Sequence, residues 1–152
     1  MPIKAKIQND LKAALKNKDS LLVSVLRLLL SEVHNLEIQK RKELSEEDIL
    51  NVLGQSAKKH KDSLAQFRRG DREDLAGKEE AELKIIESYL PPALAEAELQ
   101  ELVRAAVAFA KMQNPSQQNM GAVMKILKPK ITGRASGHIV SEMVKKELNP
   151  RS

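Results

Sequence analysis

Between Leu102 and Ser141 the chain carries no aspartate or glutamate, yet Arg104, Lys111, Lys125, Lys128, Lys130 and Arg134 place six positive charges there. Cations without interspersed acids neutralise phosphate with little sequence preference, as shape-directed recognition of folded RNA requires. The bland alternative is a solvated basic face. Lys125, Lys128, Lys130 and Arg134 cluster around one turn, which contains Gly133-x-x-x-Gly137. Backbone N–H groups at the start of the helix that follows could meet a phosphate, with Arg134 alongside. The turn could equally be an ordinary connection, since it lacks the lysine and the strand of a nucleotide-binding loop.

Other chemistry finds less support. His34, His60 and His138 are isolated along the chain, and neither a Gly-x-Ser-x-Gly elbow nor an HExxH pair occurs. No catalytic triad, metal or cofactor is therefore expected, zinc included. His60 falls in an apolar helical stripe, where packing is expected rather than a proton or ligand role. The acids of Ser45 to Asp48 and of Asp71 to Glu82 fit helix starts and solvated faces. Phe67, Tyr89 and Phe109 all lie in helical patterns that suggest packing, which argues against a base-stacking platform for single strands.

The elements that must position these groups are helices. Aromatics are 2% of the 152 residues, and six glycines and six prolines punctuate the whole chain. Such a composition, rich in alanine, leucine, glutamate and lysine, forms helices rather than strands. An all-α protein is expected, with a four-helix N-terminal domain over residues 1–90 and a small three-helix tail domain over 91–152. The first helix reads over residues 3–17. Asp19 or Ser20 caps a second, apolar nearly all round and hence central. Ser45-Glu-Glu-Asp48 matches a capping box and starts the third, which Gly70 ends. Asp71 is expected to cap the fourth, which runs to Pro91-Pro92, the best domain boundary.

Beyond the prolines, Leu99 to Ala110 form a fifth helix and Gln113 to Gln118 a loop. A sixth helix carries Met120, Val123, Met124 and Leu127 and ends at Lys128-Pro129. Gly121 lies in it, Gly133 is able to take a positive φ, and Ser136 is placed to cap a last helix that opens at Gly137.

The net charge of +5 is concentrated late: residues 91–152 hold nine Lys or Arg against five acids, and residues 1–90 seventeen against sixteen. A localised positive field attracts polyanions. The absence of cysteine excludes disulfides and suits a reducing compartment. The most apolar run, Leu21 to Leu30, is interrupted by Ser24 and Arg27 and falls short of the ~20 residues of a membrane span. A soluble cytoplasmic protein without membrane contact is expected.

Leu90-Pro91, Met120-Gly121-x-x-Met124-Lys125 and Gly133-Arg134-Ala135-x-Gly137, in that order and spacing, give the chain a family resemblance. So do Val25-Leu26-Arg27, Lys61-Asp62-Ser63, Gly70-Asp71-Arg72-Glu73-Asp74-Leu75-Ala76 and Glu80-Ala81-Glu82. The chain resembles the YqeY-like family, whose members look like the helical and tail part of the B subunit of tRNA-dependent amidotransferases. The resemblance implies a helical domain joined to a three-helix tail, and a tail that contacts the body of tRNA. Ala95 stands where a serine-type cap is usual, and Ser136 where aspartate is common; neither change removes a positive charge.

The resemblance does not carry the reaction. The B subunit activates a tRNA-bound carboxylate in a separate, larger catalytic domain, for which this chain has no segment left over. A label of carbon-nitrogen ligase with glutamine as amide donor would attach by kinship. The expected function is a non-catalytic accessory protein whose basic tail docks on tRNA or a tRNA-enzyme complex. The alternatives are a helical adaptor for a protein partner and an auxiliary subunit of amide transfer.

Overall fold

The computed structural model describes residues 2–113 and 119–149. Among them are seven helices and no strand: α1 (Ile3–Lys16), α2 (Ser20–Lys40), α3 (Glu46–Arg69), α4 (Glu73–Glu87), α5 (Glu96–Gln113), α6 (Met120–Ile131) and α7 (Gly137–Leu148). They fall into two compact units, one ending at Pro91 and the other beginning at Pro92. None of the described helices is long and apolar enough to cross a membrane. Except for Gln113, which closes α5, the expected loop from Gln113 to Gln118 lies outside the described residues.

In the first unit α2 packs on α1, α3 and α4. Leu26 and Leu29 of α2 meet Ile7, Leu53 and Ile86 in one core, all fully buried, and each such side chain contributes about 2–3 kcal/mol of transfer free energy. The apolar ring of α2 is not wholly used, since Leu28 is 40% and Ile38 62% exposed. Three helix starts are tied by polar contacts, two of them local. Asp19 accepts from the Leu22 N–H at the start of α2, and Ser45 and Asp48 close the capping box of α3 in both directions. At α1 the cap is tertiary: the Glu46 carboxylate accepts from the Ile3 N–H at 3.2 Å.

All three connections in this unit end their helices the same way. Asp19 N–H reaches Ala14 O, Lys42 N–H reaches Glu37 O and Arg72 N–H reaches Phe67 O, with a second bond nested inside each. This Schellman closure needs one left-handed residue, and here it is Lys18, Arg41 and Asp71, with φ of 55, 56 and 54°. Asp71 is thus not the cap of α4. Its backbone is spent closing α3, and the residue preceding α4 is Arg72, which makes no side-chain cap bond. Gly70 has an ordinary φ of −90°. Helix α4 also ends earlier than expected, at Glu87, and tight turns through Tyr89 N–H to Ile86 O and Leu90 N–H to Glu87 O carry the chain to the prolines.

In the second unit α5, α6 and α7 each pack on the other two. Their core is small-residued: Val103, Ala106, Val107 and Ala110 of α5 face Val123, Leu127 and Ile131 of α6 and Val140 and Val144 of α7. Helix α6 does not stop at Lys128-Pro129, because Pro129 sits inside its last turn. A proline there forfeits only the bond to the Lys125 carbonyl, and buried Ile131 keeps the turn wound. Gly133 does take a positive φ, 75°. Ser136 precedes α7 but its hydroxyl makes no cap bond.

Candidate functional site

The basic residues of the second unit divide by what already holds them. Lys111, Lys125, Lys128 and Lys130 are exposed, and among the described residues no carboxylate lies within ion-pair distance of them. Arg104 is different: its Nε lies 3.9 Å from Glu147 Oε2, a surface pair worth at most ~1 kcal/mol. Arg134 is more committed. It is half-buried, its Nε donates to the Pro92 carbonyl at 3.0 Å, and its own carbonyl accepts from the Leu94 N–H at 3.0 Å. That side chain fastens the entry of the unit to the α6–α7 turn.

Helix geometry decides which lysines share a face. At roughly 100° per residue, Lys125 and Lys128 lie on one side of α6, while Lys130 falls on the opposite flank of the buried stripe of Val123, Leu127 and Ile131. On α5, Arg104 and Lys111 are seven residues apart and share a face. Gly121 and Gly137 sit in the first turns of α6 and α7. A Cβ on Gly121 would meet Asn119 Oδ1 at 3.4 Å, and one on Gly137 would meet nothing within 4 Å. Asn119 itself caps α6 by accepting from the Ala122 N–H at 2.7 Å.

One aromatic expectation is corrected. Phe109 is 50% exposed and Met112, one turn on, is 82% exposed. The stripe formed by Leu99, Val103, Ala106, Val107 and Ala110 is complete without them, so both point away from the core of the unit.

The first unit holds an arrangement that one-dimensional spacing could not announce. His60 of α3 is buried as expected, but its ring is not merely packed. Nδ1 lies 2.8 Å from the Ser56 carbonyl, and Nε2 lies 3.1 Å from Glu82 Oε2 and 3.9 Å from Glu79 Oε2, both on α4. The three donor atoms lie within 4.8 Å of one another. The only sequence signal is Glu79 and Glu82 at three-residue spacing on one helix, which is too common to stand out.

Elsewhere in this unit the polar contacts tie helices together. Lys4 Nζ donates to Glu37 Oε1 at 3.0 Å, and this bond above all holds the Glu37 carboxyl below its usual range. The Ser45 hydrogen bonds do the same for Asp48. Tyr89 donates its phenol proton to Asp10 Oδ2 at 2.5 Å, with Lys6 Nζ 5.4 Å from the ring centroid. Burial first and Asp10 second raise the Tyr89 phenol well above the ordinary tyrosine range.

A family profile described as Yqey-like protein matches residues 4–148. The chain belongs to the YqeY-like family. Its relatives include proteins named altered inheritance of mitochondria protein 41, mitochondrial. That of Lachancea thermotolerans is 35% identical over 125 residues, covering 80% of this chain and 67% of the relative. That of Kluyveromyces lactis is 36% identical over 117 residues, 75% and 63% of the two chains. That of Pyrenophora tritici-repentis is 28% identical over 145 residues, 94% and 77%.

These names overturn the expectation of a cytoplasmic protein, because they place the YqeY-like relatives in mitochondria. The physical reason is that a cysteine-free helical chain records only compatibility with a thiol-keeping compartment, and cannot tell one such compartment from another.

Proposed function

We propose that the protein is an accessory protein that docks α5–α7 on the phosphate exterior of tRNA, or of a tRNA-enzyme complex, as the resemblance to the amidotransferase tail implies. On this reading the four-helix and three-helix units are separate domains, the first a scaffold and the second the docking module. The observation that carries it is the set of four exposed lysines, Lys111, Lys125, Lys128 and Lys130, none with a carboxylate in ion-pair reach among the described residues. A cation already paired gains little from a phosphate; an unpaired one gains the release of condensed counterions. Arg104 and Arg134 add charge, but each already has a contact to keep. Amide transfer is not assigned to this chain alone.

The test is a titration with deacylated tRNA at several salt concentrations, with an unrelated duplex RNA as control and mitochondrial tRNA as a second probe. Four phosphate contacts give a log-log salt slope of roughly −3 to −4 and weak affinity at physiological salt. Saturable, salt-sensitive binding that prefers tRNA supports the proposal, and no binding at low salt removes it. A protein partner is the second reading, favoured by the exposed apolar pair Phe109 and Met112 on α5. Binding to a protein that Phe109→Ser abolishes, without any RNA affinity, would support that reading instead.

A further inference from the structure

We infer that His60, Glu79 and Glu82 form a binding site for one divalent transition-metal ion of the zinc class, bridging α3 and α4. The inference is independent of RNA docking and concerns the other unit.

The argument starts at the ring. A main-chain carbonyl only accepts, so the 2.8 Å contact between Nδ1 and the Ser56 oxygen puts the proton on Nδ1. In the neutral ring this leaves the Nε2 lone pair directed at Glu82 Oε2, 3.1 Å away, and near Glu79 Oε2 at 3.9 Å. A lone pair and two carboxylate oxygens do not attract one another, so either a second proton on Nε2, which serves one carboxylate at a time, or a metal ion, which serves both, has to stand between them. Holding Nδ1–H on a backbone carbonyl is also how metal-bound histidines are oriented, because it presents Nε2 as the ligand.

Charge and burial point the same way. The His60, Glu79 and Glu82 side chains are only 11, 23 and 14% exposed, so both carboxylates have lost much of their water. Among the described residues His60 is the only basic group within ion-pair reach of either. The cluster is therefore short of positive charge even when the ring is protonated. One turn before His60 on α3, Ser56 is 2% exposed and its hydroxyl has no hydrogen-bond partner among the described residues. The His60 face of α3 thus carries a second buried polar group, whose hydrogen-bonding capacity the described residues leave unused.

The distances suit such an ion. With metal–nitrogen and metal–oxygen bonds of about 2.0–2.2 Å, neighbouring donors stand ~3 Å apart in an octahedral site and ~3.4 Å in a tetrahedral one. The observed 3.1 Å lies close to the octahedral spacing and the 3.9 Å exceeds both, so the Glu79 carboxylate has to turn inward to complete the set. One imidazole and two carboxylates suit zinc, cobalt, manganese or ferrous iron better than magnesium or calcium. Three protein donors leave at least one coordination position to solvent or another ligand.

The experiment is titration of tag-free, chelator-treated protein with Co²⁺ and with Zn²⁺, reading the visible d–d absorption of bound cobalt, calorimetric stoichiometry and Tm. One ion per chain is expected, with a nitrogen–oxygen cobalt spectrum, displacement of cobalt by zinc and a rise in Tm. Glu79→Gln and Glu82→Gln, which keep shape and remove charge, should each weaken binding at least about tenfold, since even outer-shell partners of a metal are worth that much. Circular dichroism of the metal-free variants separates loss of the site from loss of the fold. No spectrum or heat with the wild-type chain overturns the inference, as does stoichiometric binding that both variants retain.

Discussion

Arg134 Nε and the Pro92 carbonyl, 42 residues apart in sequence, meet at 3.0 Å, and this contact fastens the start of the second unit to its α6–α7 turn. The most conspicuous cation in the family-like Gly133-Arg134-Ala135-x-Gly137 motif is therefore a structural clasp before it is anything else. Arg134→Gln should lower stability by about 1 kcal/mol, the value of a partly exposed hydrogen bond from a charged donor. Arg134→Lys should recover the charge but not the clasp. Urea unfolding of the two variants checks this, and equal stability of Arg134→Lys and the parent would show that the guanidinium bond carries no weight.

The lysines should behave in the opposite manner. Lys125→Gln and Lys128→Gln share a face of α6, and each should leave stability within about 0.5 kcal/mol, as surface changes do. Each should also reduce the magnitude of the salt slope for tRNA by roughly 0.9. Lys130→Gln, on the other flank of the helix, separates a one-sided contact from a diffuse one. If its slope equals that of the parent while the other two fall, the docking face is that of Lys125 and Lys128.

Backbone chemistry yields a pair of opposite signs. Arg41 holds a φ of 56° with an L side chain, so Arg41→Gly should stabilise the protein by about 0.5–1 kcal/mol, the relief of a left-handed residue less the entropy that glycine adds to the unfolded chain. Gly133 holds a φ of 75°, and Gly133→Ala should destabilise by about 1 kcal/mol or more. Chemical denaturation of both variants at one pH decides it.

Tyr89 ties the end of α4 to Asp10 of α1 through its phenol proton, and the fold raises the pH at which that proton leaves. A group that titrates higher in the folded state contributes stability that is fully present below its unfolded value, near 10, and is lost as pH rises through the folded value. Tyr89→Phe should cost about 1–2 kcal/mol at neutral pH and should flatten the part of the alkaline stability loss that tyrosine ionisation causes. Stability against pH for parent and variant, measured above neutrality, reads both effects.

The helices, the start of α3 and the left-handed Gly133 were legible in the order of residues because each is decided within a turn of chain. Apolar spacing selects the buried stripe, and Ser45 and Asp48 are three residues apart, close enough to find each other in any helix that starts there. Where two local uses of one residue compete, the linear reading failed: Asp71 fits both the end of α3 and the start of α4, and the backbone bonds from Arg72 to Phe67 and from Asp71 to Arg68 assign it to the former. Pro129 failed similarly, since a proline in a last turn forfeits one bond that burial of Ile131 outweighs.

What only the tertiary structure decided is which charges are free. The acid-free stretch was visible as composition, but whether Arg134 faces solvent or Pro92 depends on a contact across 42 residues. Likewise His60 and Glu82 are 22 residues apart, on helices whose pairing brings one imidazole against two carboxylates. Periodicity tells that a residue is inside; it does not tell what faces it, because the partner is chosen by how helices pack and not by the spacing within any one of them.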